Sequence, residues 1–181
     1  MIRLAESGDL PLILNIYEYA RGFMAENGNP SQWGKNYPPE ETVLNDIKNK
    51  HLYVIEEEEV SGVFFFKIGE DPTYNTIHEG HWLSSETYGT IHRIAGNGKE
   101  RGILKKAVSY CEEIIPHLRI DTHEDNKIMQ RAIEKNGFTK CGMIFTEEGS
   151  QRIAYEKLEE IREFLDEETK EKIRGRISNG K

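Results

Sequence analysis

Apolar positions recur at helical spacing early in the chain and at strand spacing through most of the rest. Leu12, Ile13, Ile16, Tyr17, Ala20 and Phe23 repeat every three to four positions, which predicts a helix. Asp9 is its expected N-cap and Pro11 lies in its first turn; the pattern fades near Gly28. A short strand over residues 2–4 precedes it. Val43, Leu44 and Ile47 share one face of a second helix, residues 40–49. Strands follow at 51–55 and 60–68, joined by a turn of four glutamates at 56–59 that reads as a solvated hairpin tip. Val63-Phe64-Phe65-Phe66 implies burial on both faces of the second strand.

Residues 69–85 carry little pattern. A strand at 88–95, a helix at 103–115, a strand at 118–122 and a helix at 127–135 follow, then strands at 138–145 and 152–157. Gly137 sits where a left-handed helix end belongs. This element order lacks the strict alternation of a doubly wound fold. It predicts an α+β domain, a mixed and mostly antiparallel central sheet flanked by helices, with a parallel pair near its middle. Residues 1–158 are expected to form that domain. Ile161, Phe164 and Leu165 mark a charged C-terminal helix in 159–181, ending in a flexible tail.

Composition narrows the chemistry. The 181 residues carry 24 Lys and Arg against 32 Asp and Glu, a formal charge of −8. That disfavours tight, sequence-independent nucleic-acid binding, which needs a basic face. No stretch is apolar enough to span a bilayer, and the first residues have no signal-peptide core. Cys111 and Cys141 lack metal-ligand spacing, and so few thiols suit a cytoplasmic protein. No His and carboxylate trio shows metal spacing, so no metal is expected; His78, His81 and His117 read as surface residues.

The strand at 88–95 runs into Gly96-Asn97-Gly98-Lys99-Glu100-Arg101-Gly102, and a helix begins at once. A helix N-terminus offers free backbone N–H groups, and the glycines let a ligand come close. Such a turn suits a diphosphate. Strand alternation would put Glu86, Tyr88, Thr90 and His92 on one face. The loop after the first helix carries Gln32, Trp33 and Tyr37, large amphipathic side chains typical of binding loops.

From Thr90 to Phe138 the chain resembles the GCN5-related N-acetyltransferase (GNAT) superfamily. The resemblance rests on the strand ending Ile91-His92-Arg93-Ile94-Ala95, on Lys99-Glu100-Arg101-Gly102-Ile103-Leu104, and on Asn126 followed by a helix ending Glu134-Lys135-Asn136-Gly137-Phe138. The middle motif departs from the family pattern at Lys99 and Leu104. Ile133 stands where many relatives have a proton-donating Tyr, and Tyr88 falls near the position of a catalytic carboxylate.

The resemblance implies the GNAT acyl-CoA N-acyltransferase fold, acetyl-CoA as cofactor, and acetyl transfer to a primary amine of a small molecule, amino acid or peptide. Amides of Glu100 to Leu104 would hold the diphosphate, with Lys99 and Arg101 at the rim. Arg93, Ile94 and Ala95 would offer backbone groups to the pantetheine arm and the thioester, and Asn126 and Arg131 would add contacts. Acyl transfer to an amine needs a base, and His92, Glu86 and His123 are the candidates. Asp121 reads as structural. The acceptor would lie against Met24, Gln32, Trp33 and Tyr37, with Trp82 on the far side. A catalytically weak or inactive CoA-binding module, or a partner-binding domain, are the alternatives. The last strand is free to pair with a second copy, so a homodimer is among the expected assemblies.

Overall fold

The protein is described by a computed structural model over residues 1–158; the expected C-terminal helix and tail lie outside the described residues. The elements are β1 (Ile2–Leu4), α1 (Leu10–Glu26), α2 (Glu40–Lys48), β2 (Leu52–Glu56), β3 (Val60–Ile68), β4 (Gly89–Gly96), α3 (Ile103–Glu112), β5 (His117–Thr122), α4 (Lys127–Lys135), β6 (Thr139–Phe145) and β7 (Gln151–Leu158). They follow the periodicity of the sequence closely. Asp9 is the N-cap residue of α1, as expected, but its side chain makes no cap bond: it accepts from the Glu6 amide at 2.8 Å and pairs with Arg3. Its carboxylate therefore ties the chain before α1 to β1 rather than capping α1.

One seven-stranded sheet has the order β1-β2-β3-β4-β5-β7-β6. Every pairing is antiparallel except β4 with β5. Helices α1 and α2 cover one face, where Ile13, Ile16, Tyr17 and Val43 meet Leu52, Val54, Val63 and Phe65. On the other face Leu104, Ala107, Val108 and Ile133 meet Phe64, Phe66, Ile91, Leu118 and Ile120. The run from Val63 to Phe66 thus serves both cores, as a centrally buried strand must.

Two irregularities shape the middle of the sheet. The parallel ladder of β4 and β5 stops at Ile91↔Ile120, so the two strands part beyond that point. On its other side β4 pairs through Phe65↔His92 and then Val63↔Ala95, leaving Arg93 and Ile94 opposite Phe64 alone. This is a β-bulge, with Arg93 at φ 48°. Neighbouring strand residues normally alternate faces. Across the bulge they do not: the His92 ring lies 5.8 Å from the Phe65 ring, and the Arg93 guanidinium 4.5 Å over that same ring.

Candidate active site

The gap opened by the parting of β4 and β5 widens into a cleft of about 630 Å³. Its floor is Ile91, His92, Arg93 and Ile94 from β4 and Ile120, Asp121 and Thr122 from β5. Its walls come from the α1–α2 loop, from Asp71 and Thr73 in the excursion between β3 and β4, from Asn126 and Met129 of α4, and from the β6–β7 turn.

The bulge is held from α1. Tyr17, fully buried, donates its hydroxyl to the Arg93 carbonyl at 3.0 Å. The Arg93 side chain crosses to α2 and meets Asp46 at 2.7 Å. Main chain and side chain of one residue are thus pinned to two helices, and the bulge keeps its shape without a ladder partner.

Beside it sits a cluster of ionisable groups. His92 Nε2 lies 2.8 Å from Asp71 Oδ2, and Nδ1 lies 3.4 Å from Asp121 Oδ1. Tyr74, buried, donates its hydroxyl to Asp121 Oδ1 at 2.7 Å. Burial alone would lower the His92 pKa, but hydrogen bonds and charge from Asp121 and Asp71 outweigh it and raise it to about 9. Burial would likewise raise Asp71, yet His92 and the Thr73 amide hold it at about 2. At neutral pH His92 is an imidazolium between two carboxylates. The expectation of a histidine poised as a base near neutrality does not fit this environment; the same ring becomes an acceptor only in alkaline solution.

The glycine loop is built on close contact. Gly62 and Gly96 are paired across β3 and β4, and a β-carbon on either would come within 2.9 Å of the Ile103 side chain. Without β-carbons there, the first turn of α3 settles directly on the sheet. Gly102 precedes it at φ 77°, a conformation that favours glycine, and its β-carbon position faces open space. Backbone amides from Glu100 to Lys105 have no acceptor among the described residues; the first helical bond recorded here is Lys106 N–H to Gly102 O at 3.0 Å. Leu104, the bulky departure in the motif, points into the core and leaves the amides clear.

Two of the cations near this loop, Lys99 and Lys106, are already paired. Lys99 meets Glu59 at 2.5 Å, and Lys106 meets Glu57 at 2.6 Å and also Glu100. The acidic hairpin tip, read from sequence as merely solvated, reaches across to the glycine loop.

The cleft gathers His92, Arg93, Ile94, Asn126, Met24, Gln32, Trp33 and Tyr37. Asn126 has a double role: Oδ1 caps α4 through the Met129 amide at 3.1 Å, and Nδ2 donates to Gln32 Oε1 at 2.9 Å. Ala95 turns its side chain into the α1 core. Lys99, Glu100, Arg101, Gly102 and Ile103 lie at the glycine loop, outside the cleft lining. Other expected residues lie elsewhere. Glu86 is exposed before β4 begins, so strand alternation does not carry it to His92. His123 lies beyond β5, where its Nδ1 accepts from the Asp125 amide at 3.1 Å. Arg131 is exposed on α4. Trp82 donates to the Tyr74 carbonyl at 3.0 Å and stacks on Arg119, behind the cleft. His117, expected at the surface, is buried against Glu156 at 2.5 Å. That carboxylate also takes Arg119 at 3.0 Å and the Leu83 amide, which fastens the excursion carrying Asp71 and Tyr74 to the sheet.

Asp71, Tyr74 and Asp121 were not foreseen as site residues. Asp71 and Tyr74 come from a stretch without periodicity, and only the fold brings them to β4. The bulge did leave a trace. Ile91 and Ile94 both belong to the α3–α4 core, yet they are spaced by three, an odd step that an unbroken strand does not allow.

The fold has counterparts in solved structures. A GNAT-family acetyltransferase from Streptococcus agalactiae is 33% identical, with a TM-score of 0.80 over 88% of this chain and 95% of that one. The chain belongs to the GNAT superfamily of acetyltransferases. A GNAT-family acetyltransferase from Listeria monocytogenes, 20% identical, shares the fold with a TM-score of 0.64 over 87% of this chain and 94% of that one. So does yncA from Salmonella typhimurium, a structure with its cofactor acetyl-CoA, at 13% identity and a TM-score of 0.55 over 92% and 98%. No protein-family model matches the sequence, and no curated protein gives a significant match. Within this GNAT chain, Ile133 is fully buried in the core, so no phenol occupies the position where many relatives protonate the leaving thiolate. Among the described residues no helix is long and apolar enough to cross a membrane.

Proposed function

We propose that this GNAT protein is an acetyl-CoA-dependent N-acetyltransferase whose acceptor is a primary amine. The reading is carried by three features that follow one another along β4 and the start of α3. These are the unpaired amides of the glycine loop, the bulge at Arg93 and Ile94, and the His92–Asp121 pair at the end of the cleft. A CoA thioester is a long chain with a diphosphate at one end of its arm and a reactive carbonyl at the other, and the three features meet those parts in order.

The residues fit the cofactor. The amides of Arg101 to Leu104 form the anion site, aided by the dipole of α3. The parted edges of β4 and β5 leave room for an extended arm. Backbone donors at the bulge are available to a carbonyl oxygen. Bound there, acetyl-CoA would supply the acetyl group, the C–N bond to the amine forming as the C–S bond breaks, and the thiol would take up the proton that the amine gives up.

His92 manages that proton. Its Nε2–H, directed at Asp71, fixes the tautomer and leaves Nδ1 as the nitrogen that gains and loses a proton. Nδ1 faces Asp121 and the cleft. A pKa of about 9 lies close to that of an alkylamine, so transfer between the two is nearly balanced. Asp121 orients the amine and stabilises the imidazolium that forms.

The test is thiol release from acetyl-CoA with a broad panel of amines at pH 8–9, in wild type and His92→Gln. Release that depends on the amine and falls at least about a hundredfold in the variant supports the reading. CoA binding without release for any amine would replace it with a CoA-binding module.

A further inference from the structure

The cleft holds a second pair of opposite charges, set side by side and incompletely joined. Asp121 Oδ2 and Arg152 Nε are 3.9 Å apart, beyond hydrogen-bond reach, and both residues line the cleft. Asp121 spends its other oxygen on Tyr74 and His92. Oδ2 has no hydrogen-bond donor among the described residues.

Arg152 is buried and only partly satisfied. Nη1 donates to Ser150 Oγ and to the Gln151 carbonyl, and Nη2 donates to the Gln32 carbonyl at 3.3 Å. The Nε–H and the second Nη2–H have no acceptor among the described residues. Nε and Nη2 form the side of a guanidinium that can grip a carboxylate in bidentate fashion. Burial disfavours the Arg152 charge more than Asp121 favours it, so its pKa is lowered from the ordinary arginine value. A closer anion would relieve that imbalance.

Gln32 stands next to this fork. Its Oε1 accepts from Asn29 Nδ2 at 2.8 Å and from Asn126 Nδ2 at 2.9 Å. The Nε2 group therefore carries the donors left over, with no acceptor among the described residues. Arg152 and Gln32, with these unpaired donors, line the same cleft as Asp121.

A ligand with an ammonium and a carboxylate on the same carbon matches this arrangement. We propose that the acceptor is an α-amino acid, its carboxylate held by Arg152 and Gln32 and its amine set beside Asp121 and His92. The proposal rests on the acetyl-transfer reading and names the substrate class for the same site. A simple amine would leave the Arg152 fork empty.

The test measures binding and turnover separately. The protein saturated with CoA is titrated calorimetrically with the common L-amino acids, each beside its decarboxylated amine. At least one amino acid should bind about tenfold or more tightly than its amine, the size expected of a charged hydrogen-bonded contact. Arg152→Gln should bring that ratio toward one. Arg152→Lys keeps the charge without the fork and should fall between; thermal melting reports whether each variant is folded. Equal affinities, tighter binding of the amines, or no binding of any amino acid by wild type would overturn the proposal. Thiol release is then measured with the same compounds. Amino-acid binding without release would sink the transfer reading while leaving the carboxylate site standing.

Discussion

The Tyr17 hydroxyl donates to the Arg93 carbonyl at 3.0 Å, joining the middle of α1 to the bulge of β4. The two residues are far apart in sequence, and the bond fixes the strand where neither neighbouring ladder does. Tyr17→Phe keeps the ring in the core and removes that bond. Stability should fall by about 1 kcal/mol, the usual net worth of one buried hydrogen bond. Turnover should fall further than stability implies, about tenfold in kcat/KM, because the bulge amides lose their aim. Denaturant unfolding and steady-state kinetics on the same samples check both. Unchanged kinetics with the stability loss present would confine Tyr17 to packing.

His92 gives a pH dependence with a definite sign. Its pKa rises from 6.5 to about 9 on folding. The stabilisation is therefore complete below pH 6.5 and is lost as the pH climbs through about 9. Melting temperature should decline over that window in wild type and decline less in His92→Gln. Asp71, lowered from 3.8 to about 2, acts at the other end: its contribution is present above pH 4 and disappears as the pH falls toward 2. The neutral imidazole forms in the same alkaline window, so kcat/KM should rise with pH and level off near 9. A plateau reached by pH 7 would remove His92 as the proton acceptor.

On the proposed acetyl-CoA reading, the acidic hairpin would compete with the diphosphate for the same cations. Glu59 holds Lys99 and Glu57 holds Lys106. Both pairs are largely exposed, so each is weak and screened by salt. Changing Glu57 and Glu59 together to Gln should tighten CoA binding a few-fold at low ionic strength, and the gain should fade in high salt. Calorimetric titration at two salt concentrations measures it, and weaker binding by the double variant would contradict the assignment.

The sequence carried the elements well because nearly all of them are local and periodic. Val63 to Phe66 announced a strand buried on both faces, and the spacing on α1 announced its buried side. Gly102 and the bare start of α3 are also local, so the glycine loop with its free amides was legible. What could not be read depends on the excursion between β3 and β4. Asp71 reaches His92 because that segment is tied to Tyr88 at its start and to Glu156, itself held by His117 and Arg119, further along. No spacing in the chain encodes such a chain of contacts. Glu86 is the carboxylate to which alternation along β4 points, whereas the carboxylates at His92 come from the neighbouring strand and from the excursion.

The central claim is that the amides around Gly102 bind the diphosphate of acetyl-CoA. Calorimetric titration of wild type and Gly102→Trp with acetyl-CoA tests it most directly. The β-carbon at this position faces open space, so the indole intrudes on the ligand's place and not on the core, although the positive φ costs the variant about 1 kcal/mol. The account predicts one molecule bound per chain in wild type and none detectable in the folded variant. Wild type that ignores acetyl-CoA, or a variant that binds it as tightly, would contradict it.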